Sequence, residues 1–97
     1  MRYEVEAEVW LWTSDKAAWH FLSLPPDVSD GIRALRGRRV GWGSLRVAAT
    51  VGGTTWRTSI FPDSRSGAFI LPIKADVRRR ENIAAGDRVT VAVDIEF

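Results

Sequence analysis

Apolar residues occupy every second position from Tyr3 to Leu11, with Arg2, Glu4, Glu6, Glu8 and Trp10 between them. A period of two puts Tyr3, Val5, Ala7, Val9 and Leu11 on the dry face of a strand and the others, Trp10 and Trp12 included, on its wet face. Thr13-Ser14-Asp15-Lys16 has the composition of a turn. Ala18 to Leu24 is a mostly apolar second strand that ends at Leu24-Pro25-Pro26, because proline has no N–H to give to a ladder. The period then changes. Val28, Ile32 and Leu35 form one stripe of a short helix, with Asp27 expected as its N-cap and Gly37 as its stop.

The alternation returns in Leu45, Val47, Ala49 and Val51, a third strand, and Gly52-Gly53 supplies the tight turn into a fourth, Trp56 to Phe61. Residues 62–67 read as a loop, Ala68 to Ile73 as a fifth strand, Asp76 to Glu81 as a second helix, and Val89 to Phe97 as a sixth strand. The order strand, strand, Leu-Pro, helix, strand occurs twice, with Leu24-Pro25 matched by Leu71-Pro72. Two half-repeats, 1–52 and 53–97, would each carry an apolar face that only the other half can cover. The pattern predicts a mainly β fold, a single domain over 1–97 with two short helices.

Composition narrows the chemistry. The chain has 97 residues, no cysteine, one histidine and a net charge of +2. Disulfides and thiolate metal sites are excluded, no cofactor motif is present, and one histidine without clustered carboxylates gives no metal site. No segment has membrane-spanning or signal-peptide length, so a cytoplasmic protein without a membrane partner is expected.

Several motifs in order carry a resemblance: Trp19-His20-Phe21 leading to Leu24-Pro25; Gly43-Ser44-Leu45-Arg46-Val47 leading to Gly52-Gly53; Thr58-Ser59-Ile60-Phe61-Pro62; and Leu71-Pro72-Ile73-Lys74 followed by Val77-Arg78 and Gly86-Asp87. With them the chain resembles the family catalogued as domain of unknown function 1905, small bacterial and archaeal barrels. The resemblance implies a six-stranded double-split β-barrel, similar to the barrel of AbrB-type transcription regulators. Asn82 stands where such sequences usually have glycine, and asparagine is the residue that best replaces glycine in a left-handed helix end.

The family implies no activity, and three readings of the residues stand side by side. Five tryptophans in so short a chain suggest an aromatic site for a small anionic or aromatic ligand, with Trp19, Trp42 and Trp56 as walls and His20, Arg57, Ser59 and Arg65 as polar contacts. Exposed aromatic area would also serve a homodimer. The alternative is nucleic-acid binding through two arginine runs, Arg36, Arg38 and Arg39 near the first helix and Arg78 and Arg79 on the second. Against it, arginines on short helices are often paired locally, here with Asp30, Asp76 or Glu81. The third reading is an enzyme using His20, for which no carboxylate or hydroxyl partner is fixed by sequence, so no catalytic residue is assigned.

Overall fold

The computed structural model describes residues 1–36 and 43–96, and of Leu35 and Arg36 the backbone only. Arg38, Arg39, Trp42 and the side chain of Arg36 therefore lie outside the described residues, as does the expected stop at Gly37. The elements are β1 (Arg2–Thr13), β2 (Ala18–Ser23), α1 (Pro26–Arg36), β3 (Leu45–Val51), β4 (Thr54–Pro62), β5 (Phe69–Pro72), α2 (Ala75–Glu81) and β6 (Arg88–Ile95). The strands close into an antiparallel barrel in the order β1-β2-β5-β4-β3-β6.

Two strands split the barrel. β1 pairs with β6 from Arg2 to Glu8 and with β2 from Val9 to Thr13, while β4 pairs with β3 up to Ile60 and with β5 at Phe61 and Pro62. The Gly86-Asp87 turn fixes the first crossover: Gly86 N–H donates to the Val9 carbonyl at 2.7 Å, and Val9 N–H donates to the Asp87 carbonyl at 2.8 Å. Gly86 takes φ 94°, open to glycine and closed to most other residues. Exchanging β1, β2 and β3 with β4, β5 and β6 leaves the neighbour order unchanged.

Inward positions follow the alternation. Val9, Leu22, Val47, Ile60, Leu71, Val91 and Val93 are fully buried, each stabilising the fold by about 1.5–3 kcal/mol relative to exposure. Leu11 departs from the expectation: it is 47% exposed although it shares Val9's face. Beyond the crossover β1 has left β6, so the β1–β2 hairpin runs past the end of the core. The first helix also begins two residues early. Pro26 is its first residue and Asp27 sits in the first turn, where an acid favours the helix dipole but does not cap.

Ser29, the buried polar residue of α1, accepts from Phe69 N–H at 3.1 Å and donates to the Leu24 carbonyl at 3.2 Å. Asn82 ends α2 in the left-handed region at φ 55°, ψ 51°, as its place after the helix implied. Gly52 is the first residue of the β3–β4 turn and takes φ 56°, which a two-residue turn asks of glycine. A Cβ there would also run into the Glu81 carboxylate, which accepts from Thr54 Oγ1 at 2.6 Å. Gly52→Ala is expected to lower stability by about 1–2 kcal/mol in urea unfolding. Among the described residues no helix is long and apolar enough to cross a membrane.

Candidate functional site

β5 is short because of its last residue. Pro72 pairs with Phe21 and ends the strand, Ile73 gives one further bond to the His20 carbonyl at 2.9 Å, and from Lys74 the chain turns into α2. β2 and β4 continue on either side, toward Ala18 and Thr54, and among the described residues no strand lies between them. In the observed registers a longer β5 would have run between His20 and Thr58. The space it leaves is a cleft of about 350 Å³ at the barrel mouth, walled by Trp19, His20, Trp56 and Thr58 and bordered by Lys74 and Arg78 of the α2 end.

His20 and Trp56 occupy inward positions of their strands, in step with Leu22 and Ile60. The His20 Nδ1 and the Trp56 Nε1 are buried, and neither meets a hydrogen-bond partner among the described residues. A buried polar group without a partner costs about 1–3 kcal/mol, so the barrel carries two such costs in residues that line one cleft. Burial, and then the nearby Arg78 guanidinium, hold the His20 imidazole below its ordinary pKa of 6.5.

The charges around the cleft are positive. Arg78 is anchored by its Nε, which donates to the Ile73 carbonyl at 3.1 Å. Neither Lys74 nor Arg78 forms an ion pair with a described residue, whereas Arg57, also on the rim, is bound to Glu96. The hydrogen bond from Arg57 holds the Glu96 carboxyl below the usual range. Among the described residues no carboxylate lines this cleft, and no group of three or more histidines and acids could hold a metal.

Of the residues grouped as a ligand set, Trp19, His20, Trp56 and Arg57 do meet at this cleft. Ser59 lies instead in a neighbouring cleft with Arg46 and Arg57, and Arg65 lines an aromatic groove on the barrel exterior. The reason is the strand period: Trp56, Thr58 and Ile60 face in, so Arg57, Ser59 and Phe61 face out. Sequence reasoning missed Thr58, Lys74 and Arg78 as companions of His20. The signal for Lys74 and Arg78 was available, since a strand halted by Leu-Pro delivers the next residues to the gap it leaves. Of the arginine runs, Arg78 borders the cleft and Arg79 bonds Asp76 on its own helix. On α1, Arg33 reaches the Gly67 carbonyl and lies 3.9 Å from Asp30.

The His20 geometry has a consequence for stability. A depressed folded pKa means that the unfolded chain binds the proton more readily, so stability is full above pH 6.5 and is lost as pH falls through the folded value. His20→Phe, similar in volume and without a nitrogen to satisfy, is expected to unfold at an equal or higher urea concentration at pH 7 and to show a flatter decline toward pH 5.

A search among curated proteins gives no match. The model of a protein family described as a domain of unknown function, DUF1905, matches residues 6–93, from the first strand to the last, and takes in β2, the Leu-Pro step and α2 that build the cleft; the chain belongs to this family.

Proposed function

We propose that the protein is a small-molecule-binding module of the cytoplasm whose barrel-mouth cleft takes a small anionic ligand with a planar, aromatic part. The observation that carries this reading is the pair of unpartnered buried atoms, His20 Nδ1 and Trp56 Nε1, at a cleft whose rim cations Lys74 and Arg78 have no described counter-ion. An indole N–H gives a donor, Lys74 and Arg78 give charge-assisted donors, and Trp19 and Trp56 give faces for a ring. A volume of about 350 Å³ lies at the small end of ligand sites. The cysteine-free sequence suits a reducing compartment.

The test is calorimetric titration with a panel of aryl carboxylates and aryl phosphates, each beside its neutral amide or alcohol. The expected result is saturable binding of an anion with at least roughly tenfold weaker binding of its neutral partner, the equivalent of one lost charge-assisted contact. Binding that ignores the charge, or no binding across the panel, would overturn the reading.

A further inference from the structure

The exterior of the barrel carries a second surface, which shares Trp19 and the rim residue Arg57 with the barrel mouth but does not rest on the barrel-mouth reading. Trp12, Trp19 and Phe61, three of the most exposed large apolar side chains, lie with Phe21 and Ile70 around a groove of about 370 Å³ whose one charged lining residue among those described is Arg65. They share a face because Trp12 pairs with Trp19 across β1–β2, and Phe61 pairs with Ile70 across β4–β5. Trp19 lies parallel to Phe21, with centroids 6.0 Å apart and 7° between planes, and Phe21 in turn meets Trp10 at 5.1 Å. Trp19 and Phe61 also wall the adjoining cleft, which brings in Arg46 and Arg57. A row of aromatic faces thus runs into a row of guanidinium groups. Among the described residues Glu96 is the one acid lining either space, and Arg57 holds it; Arg65 lies 3.9 Å from Asp63 beside the groove.

We propose that this face binds single-stranded nucleic acid, with bases stacked on Trp12, Trp19 and Phe61 and phosphates met by Arg46, Arg57 and Arg65. Rings supply stacking that every base can use, and the arginines supply sequence-independent attraction for the backbone. A duplex hides its base faces and offers such a groove little. A second copy of the chain fits the same face poorly. An isologous contact would set the arginine flank against itself, and the acids that could offset it, Glu4, Glu6 and Glu8, belong to the β1 segment that pairs with β6. This surface is distinct from the helix arginines: it uses none of Arg36, Arg38, Arg39 or Arg79.

The experiment measures fluorescence anisotropy of a labelled single-stranded thymidine oligomer with the full chain at low and moderate salt, beside a duplex of equal length. The expected result is single-strand binding at least roughly tenfold tighter than duplex binding, with quenched tryptophan emission. The double variant Trp12→Ala with Phe61→Ala, both exposed and neither at the barrel mouth, is expected to lose tenfold or more in affinity while keeping its circular dichroism. Arg57→Ala is expected to reduce the salt slope by about one. Equal affinity for single strand and duplex, or binding untouched by the double variant, would overturn the proposal. So would a dimer by light scattering that the double variant dissolves, or capture of a proline-rich peptide, with no oligomer bound.

Discussion

Phe69→Ala is expected to lower the unfolding free energy by about 3–5 kcal/mol, the range for emptying a buried aromatic site. Phe69 is fully buried at the start of β5 and is tied on three sides. Its carbonyl accepts from Leu24 N–H at 2.8 Å, its N–H donates to Ser29 Oγ, and it pairs with Pro62 across β4–β5. The Arg33 guanidinium lies 5.5 Å above its ring. Phe69 therefore joins α1, β4 and the residue that follows β2 at one point, and neighbours held by hydrogen bonds cannot close the cavity that alanine leaves. A domain of this length has a total stability of about 5–15 kcal/mol, so the change removes a large share of it. Urea unfolding followed by circular dichroism checks this, with the midpoint lowered at unchanged m-value.

Lys74→Glu is expected to separate binding from stability. Lys74 caps α2 through its backbone, at φ −75° and ψ 162°, with no hydrogen bond from its side chain. An acid at a helix start is favoured by the dipole, so the variant should be as stable as the parent or more stable by about 0.3–1 kcal/mol. The same change replaces a rim cation by an anion at the cleft. Loss of one charge-assisted contact is worth about 1.5–3 kcal/mol, so affinity for an anionic ligand should fall by about 10–100-fold. Calorimetry and urea unfolding on one preparation read both. A fall in affinity matched by a fall in stability would place Lys74 in the structure instead of the site.

Much of the fold was legible because strands announce themselves by a period of two and Leu-Pro steps announce their ends. Leu45–Val51 and the Gly52 turn stand where the pattern put them, and Asn82 is left-handed as the resemblance implied. The end of the barrel was not legible. Leu11 alternates correctly with Val9, and only the change of partner at Val9, a tertiary event, exposes it. Pro26 opens α1 in place of a cap at Asp27 because proline's missing N–H costs nothing in a first turn. The cleft was half legible. Aromatic and basic residues flagged Trp19, His20, Trp56 and Arg57, but alternation sends Ser59 to the outer side, and the Arg78–His20 proximity arises from how α2 folds back against β4 at the barrel mouth. The aromatic groove joins residues from four strands, β1, β2, β4 and β5, and no local pattern contains it.

The measurement that tests the barrel-mouth site most directly is the nitrogen–proton correlation spectrum of the tryptophan indoles, five in all, with the Trp56 signal assigned from Trp56→Phe. On titration with the tightest anion of the panel, the Trp56 indole resonance is expected to shift furthest as Nε1–H gains its missing acceptor. The His20 pKa is expected to rise as the bound charge offsets Arg78. Ligand-bound spectra in which Trp12 moves while Trp56 and the His20 titration stay fixed would contradict the account and place binding outside the barrel.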